Sequence, residues 1–362
     1  MQHLREWLSD WFGRILPNAQ AVSFAILLMV GFIVVVGLAK MLMPVFAAGV
    51  IAYLLDGLVE IGERKKLPRL AAVILVYLLF IALLLVVFVG LLPLLYQQTL
   101  QLIEQAPVWV NHGQVLIMEL PERYPNYLTQ EQVNDLIGAI RAELISYGQS
   151  MLTYSYTSLV SLITVVVYFI LVPLLVFFFL KDRDRILGWF TQYLPRDRNL
   201  SNRVWKEVDM QIGNYVRGKF VEIVILFAAS YVTFSVTGLN YALLLAVLIG
   251  LSVIIPYVGA TLATFPVMIV AFFQWGVSDD FWYLMLAYAI IQAVDGVMLV
   301  PLLFSEVVNL HPVAIIVAIL FFGGWWGFWG VFFAIPLATL VKAVLSAWPR
   351  LGEGEMSATD GR

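Results

Sequence analysis

The sequence predicts an all-α fold, a polytopic helical membrane protein with about eight hydrophobic segments, on three observations. Of 362 residues, 62% are hydrophobic and 12% charged, whereas a soluble domain carries about 45–50% apolar and about 25% charged residues. The apolar runs are about 20 residues or longer, enough to cross a hydrocarbon core as a helix, and they lack the period-two alternation of a barrel strand. Basic residues gather between those runs, in ERKKLPR at 63–69 and in the segment 181–206, as they do in cytoplasmic loops.

Residues 1–16, MQHLREWLSDWFGRIL, put Leu4, Trp7, Leu8, Trp11, Phe12 and Ile15 on one helical face. That pattern predicts an interfacial amphipathic helix anchored by tryptophans. The first apolar run starts near residue 21 with no small-residue cleavage site after it, so it reads as a retained span. Span 1 is placed at 21–39, span 2 at 42–60 after a Met-Pro break at Pro44, and span 3 at 70–92. The first unit is therefore 1–92.

Residues 93–154 differ in kind. They are Gln-rich, punctuated by Pro107, Pro121 and Pro125, and hold two basic residues, Arg123 and Arg141, against six acids. Val133, Ile137, Ile140, Leu144 and Met151 recur at helical spacing after Thr129–Gln132, which resembles a capping box. This unit reads as an extracytoplasmic helical loop domain. Span 4 begins near 155 and contains Pro173; a basic amphipathic segment marked by Val204, Val208, Ile212 and Tyr215 follows, giving a unit of 155–218. Residues 219–350 form the expected transport core, beginning with span 5 at 219–237, and 351–362 read as a disordered tail.

Loops rich in Lys and Arg stay on the cytoplasmic side. The ERKK loop and the 181–206 segment are then inside, and the 93–154 loop, one span from each, is outside. Counting two spans back from ERKK puts the N-terminus inside, and the C-terminus is placed there too.

Two later stretches are too long for one straight crossing. Residues 241–273 are broken by IIPYVG at 254–259, and 312–347 by GGWWGFWG at 323–330. A straight helix over the first would be about 50 Å long against a core of about 30 Å. The sixth and eighth segments are therefore expected to be broken or re-entrant hairpins, with steeply tilted spans as the alternative. The stretches 237–259 and 307–327 echo each other, each with an early Asn and a later Pro/Gly break. An inverted-topology repeat places a transport site near mid-membrane; chance likeness of apolar sequence is the competing reading.

Asp295 is the leading candidate for a transport role, because an acid within an apolar span costs about 2.5–3.5 kcal/mol to insert. Gln292 lies one turn earlier on the same face. Asn309 and His311 flank the entry to the last hairpin, where His is a pH-sensitive group or a helix cap. Pro256 and Gly259 free backbone groups able to meet a cation or polar solute, or merely kink the chain. Arg217, Lys219 and Glu222 fall at a membrane boundary; Lys219 and Glu222 can pair, and an ion-paired anchor is the reading ahead of a gate. The four glycines at 323–330 read as a close-packing face. Asp56 and Glu60 share the cytoplasmic end of span 2.

Zero cysteines exclude disulfides and thiol chemistry. The three histidines, His3, His112 and His311, are too far apart in sequence to suggest a metal cluster. No Walker loop, HExxH, GxSxG or dinucleotide fingerprint occurs, so neither ATP-driven transport within this chain nor an enzyme is supported. No cofactor, metal or nucleic acid is expected; membrane lipids are.

An ordered set of motifs carries a family resemblance over essentially the whole chain: FFFLKDRDRI at 177–186, QIGNYVRGK at 211–219, IIPYVG at 254–259, QAVDG at 292–296, and LHP at 310–312 followed by a Gly-rich run and AIPL at 334–337. The chain resembles the autoinducer-2 exporter family, the PerM-type bacterial permeases. The resemblance implies homo-oligomeric, multi-pass proteins of the bacterial inner membrane. It implies export of autoinducer-2, with some members linked to exchange of sodium or lithium for protons. This chain departs from the pattern at Lys219, where the family often has Gln, and at Asp295-Gly296, where it often has Glu-Asn.

Three functions follow as expectations. The first is a secondary transporter or exporter of a small polar solute. The second is a Na+(Li+)/H+ antiporter using Asp295. The third, of another class, is a non-transporting membrane scaffold. Substrate, coupling ion, direction and subunit number are not written in the sequence.

Overall fold

The computed structural model describes residues 19–118, 158–192, 199–256, 258–304 and 310–347, with six single positions between 121 and 138. The helices expected at 1–16 and across most of 129–151, the tail at 351–362, and Asn309 lie outside the described residues. Among the described residues all regular structure is helical and none is strand. Within the described residues five helices are long and apolar enough to cross a membrane, and a bent pair makes a sixth.

The first helix, α1 (Ala19–Arg64), corrects one expectation. It runs unbroken through Pro44, where a break between two spans was expected. A proline removes only one bond of the ladder, and apolar helices in lipid tolerate it because neighbouring groups re-satisfy the freed carbonyl. At 46 residues α1 is about 69 Å long. The count of two spans that put the N-terminus on the ERKK side therefore no longer holds.

The next helix also outruns its expected end. α2 (Arg69–Leu85), a π-helical turn (Val86–Leu91) and α3 (Leu92–Met118) form one rod that continues well past residue 93, with Pro107 inside it. The π turn has a local cause. Pro93 lies two residues past its end, and a proline ring collides with the carbonyl four residues back in a regular helix. Widening the turn, with Leu92 N–H bonded to the Val87 carbonyl, relieves that collision.

α4 (Ser158–Lys181) turns through 83° into the short α5 (Arg183–Gln192). α1, α2 and α4 pack into one bundle through Ala48, Ala52, Val59, Ala72, Val73, Val176 and Leu180. The alanines let the backbones approach closely. At the ERKK end the bundle is tied by ion pairs: Arg183 to Asp56 at 2.6 Å, and Arg69 to Glu63 and Asp184 at 3.6 and 3.8 Å.

The second half is built around α6 (Asn199–Thr237), in which the basic amphipathic segment and span 5 are one helix. The chain reverses at Gly238 and Tyr241, with φ +74° and +58°. α7 (Ala242–Ser252) then runs back along α6; a Cβ on Gly250 would lie 3.0 Å from the Ile223 carbonyl and from Phe227. After a tip at 253–256, α8 (Val258–Trp275) returns to where α7 began. Gln274 at its end accepts from Asn240 N–H and donates to the Gly238 carbonyl, both at 2.8 Å. The stretch 241–273 is thus a hairpin with both feet at one end of the bundle.

α9 (Asp279–Val294), a π turn (Asp295–Leu299) and α10 (Val300–Phe304) run antiparallel to α6 to the opposite end, where Phe304 meets Tyr215 at 5.8 Å between ring centres. From that end α11 (Pro312–Trp326) starts. The chain reverses at Gly327, with φ +59°, and α12 (Phe328–Phe332) and α13 (Ala334–Ala347) come back until Ile335 joins the same cluster as Ile315. The second long stretch is also a hairpin, and the two hairpins enter from opposite ends.

Each tip is closed by a glycine. A Cβ on Gly259 would overlap the Ser252 carbonyl, and one on Gly330 would overlap the Phe322 carbonyl. Neither obstacle is a side chain that can swing aside. Both glycines are needed for the close approach of their two legs.

Candidate functional site

α6 contributes three side chains to one buried cavity. Tyr215, Lys219 and Glu222 fall at positions i, i+4 and i+7, so they share a face. The face turns inward: Tyr215 is 1% exposed, Lys219 4% and Glu222 2%. Lys219 Nζ lies 2.7 Å from Glu222 Oε2 and donates to the Val253 carbonyl at 2.9 Å, with the Phe304 ring centre 5.0 Å away. The pairing expected for Lys219 and Glu222 is present. The pair is buried among α6, the first hairpin tip and α10. Arg217 is on the outer side, bonded to Asn214 and set over the Tyr53 ring.

Asp295 comes from the opposite wall and is 7% exposed. It opens the π turn, and Val300 N–H bonds its carbonyl. Pro301 comes next, as Pro93 does after the first π turn. With Val300 committed and Pro301 lacking an N–H, the Gly296 carbonyl is denied its i+4 and i+5 helical donors. π turns recur at functional sites because they re-aim side chains and free backbone groups. Gln292, one turn before, donates to Tyr288 Oη at 3.0 Å; Tyr288 Oη in turn lies 3.1 Å from Thr264 Oγ1 of α8.

The cavity holds about 450 Å³. The first hairpin tip supplies Val253, Ile255 and Pro256; the second hairpin supplies Ile315 and Ile335 from its two legs. Its walls are mostly apolar, and the charged groups lining it are Lys219, Glu222 and Asp295. With each group in its usual ionic form these sum to one excess negative charge. Lys219 is paired with Glu222, whereas Asp295 makes no ion pair among the described residues and its Oδ1 has no hydrogen-bond partner.

The structure thus gathers Asp295, Gln292 and Pro256 with Lys219 and Glu222 at one site. Gly259 sits just behind, shaping the tip. His311 is elsewhere: exposed at the foot of the second hairpin, its Nδ1 accepts from Val313 N–H at 3.3 Å and caps α11. Tyr215 and Phe304 went unnoticed as site residues in the sequence. Tyr215 carried a signal, lying one turn before Lys219 within QIGNYVRGK. Phe304 carried none, since it reaches the site by tertiary packing alone. Among the described residues no group of three or more His, Asp or Glu side chains is placed to hold a metal ion.

A polytopic helical membrane protein with two opposed hairpins around a buried charged cavity is the class that fold and site define. A family model described as AI-2E family transporter matches residues 22–350. The chain belongs to that family. It is 43% identical over 344 residues to a protein of Escherichia coli (strain K12) provisionally named permease PerM, covering 95% of this chain and 98% of that one. It is 28% identical over 316 residues to a protein of Bacillus subtilis (strain 168) provisionally named transport protein YueF, covering 85% and 84%. A provisionally named transport protein of Thermotoga maritima is 23% identical over 342 residues, covering 91% and 95%. The coarse function that follows is membrane transport.

Proposed function

We propose that the chain is a secondary transporter of a small polar solute, not an enzyme, and that the cavity between the two hairpins is its central binding site. The observation that carries this reading is Asp295, a buried carboxylate without an ionic partner among the described residues, in a cavity lined by the tip of the first hairpin and both legs of the second, which enters from the opposite end. Discontinuous helices meeting at a polar site are how transporters present backbone and side-chain ligands at membrane depth. Autoinducer-2 is the solute that family membership suggests. The uncompensated charge of Asp295 favours a second reading for coupling: a proton or Na+ neutralises it during the cycle, as exchange of Na+ or Li+ for protons requires.

The proposal extends to setting and assembly. The protein lies in the bacterial inner membrane with the ERKK loop and the α4–α5 elbow on the cytoplasmic side, as the positive-inside rule directs. The rod beyond residue 93 then projects outward into the loop domain, and 219–350 is the transport core. A homo-oligomer in the membrane completes the reading; native mass in lipid nanodiscs tests it, and a single-chain mass refutes it. The central test is flux from liposomes holding purified protein, with autoinducer-2 and with a Na+ gradient against a pH-sensitive dye. Absence of both fluxes refutes transport by this chain for those substrates.

A further inference from the structure

We infer that Tyr215 is a ligand residue of the cavity, working opposite Asp295, and that the pair selects a solute bearing both a hydrogen-bond donor and an acceptor while rejecting anions. The inference rests on the cavity being the solute site.

Two oxygens in the cavity wall have nothing to bond. Tyr215 Oη and Asp295 Oδ1 are both shut off from solvent, and among the described residues both lack a hydrogen-bond partner. Buried polar atoms are nearly always paired, so two orphans lining one cavity require an explanation. Tyr215 is held firmly, its ring 5.8 Å from Phe304 and 6.2 Å from Phe332. A phenylalanine would fill the same space and keep those contacts without burying a hydroxyl. The oxygen therefore weakens this fold, and binding is the use it can have. A carboxylate oxygen accepts and a phenol donates. A solute that brings an O–H or N–H to Asp295 and a lone pair to Tyr215 satisfies both at once.

The charges settle which solutes are refused. An ammonium has three N–H donors. Those of Lys219 face Glu222, the Val253 carbonyl and the π face of Phe304. Among the described residues no donor of the one cation lining the cavity, Lys219, remains for a solute carboxylate or phosphate, and Asp295 repels one. A neutral or cationic solute with one apolar side fits the Ile255, Ile315 and Ile335 walls.

The test has two arms. In liposomes, Tyr215→Phe is expected to raise the half-saturating autoinducer-2 concentration about two- to tenfold, the worth of one hydrogen bond, with the maximal rate little changed and a melting temperature equal to or above wild type. An unchanged half-saturation, or a lower melting temperature, overturns the inference, because the hydroxyl is then holding the fold or nothing. Should wild type carry none of that solute, the transport reading fails for it, and the second arm decides alone. The chain has no native cysteine, so Tyr215→Cys can be labelled cleanly with methanethiosulfonate reagents, the cationic ethylammonium against the anionic ethylsulfonate. The cationic reagent is expected to react at least tenfold faster, relative to the same pair at the exposed Val277→Cys. No reaction from either side, or equal relative rates, overturns the inference.

Discussion

Lys219 reaches 2.9 Å to the carbonyl of Val253, so one side chain of α6 holds the tip of a hairpin 34 residues further along the chain. The same ammonium pairs with Glu222. This one group neutralises a buried acid and donates to the backbone of the tip. Removing it by Lys219→Met leaves Glu222 buried and unpaired, which costs about 3–5 kcal/mol. Replacing both, Lys219→Met with Glu222→Leu, is expected to recover most of that loss, since a buried pair gains little over an apolar one. Thermal unfolding in detergent measures both; a double variant as unstable as the single refutes the pairing as the cause.

Asp295→Asn keeps shape and removes charge. Folding and assembly are expected to survive, because a neutral amide is cheaper to bury than a carboxylate. Transport is expected to be lost or to become insensitive to pH. Gln292→Leu is expected to have a smaller effect, since it removes only the link to Tyr288. Flux through reconstituted variants across a pH series checks this, and a wild-type rate and profile for Asp295→Asn returns that residue to a structural role.

The hairpin tips predict a contrast among glycines. Gly259→Ala and Gly330→Ala each drive a methyl into a backbone carbonyl, at about 1–3 kcal/mol or more. Gly57→Ala meets nothing within 4 Å inside α1 and is expected to be neutral or to gain up to about 1 kcal/mol. Unfolding midpoints of the three variants separate the cases.

The hairpin folds also fix which loops share a side. Val277, 70% exposed beside the foot of α8, lies across the bundle from the feet of the second hairpin. Val277→Cys is expected to react with an impermeant reagent from outside, and Lys65→Cys in the ERKK loop from the cytoplasm. Labelling of both from the same side refutes the orientation.

Much of the membrane architecture was legible in the sequence. Pro256 and Gly259, and Gly327 and Gly330, announced two tips, because a helix cannot pass such positions at membrane depth without a reason. Pro44 misled for the same reason: a proline marks a place where a helix can break, not where it does. At Pro44 the ladder continues, and at Pro93 a π turn absorbs the ring. That Lys219 and Glu222 turn inward was not legible, because hydropathy averages over a helix and does not tell its inward face from its outer one.

By itself the sequence determined the solvent in which this protein lives, its helical class, the family it joins and the acid most worth testing. These depend on composition, run length and local spacing, which the chain carries along its own length. Only the tertiary structure decided that Tyr215, Lys219, Glu222, Asp295 and Phe304 share one cavity, and that Lys219 is committed to Glu222 while Asp295 has no ionic partner among the described residues. Those facts depend on which faces of α6, α9 and α10 meet and on how far each hairpin tip reaches. Contacts between residues 34 to about 90 positions apart are set by packing and closure of the whole bundle, and no local pattern encodes them.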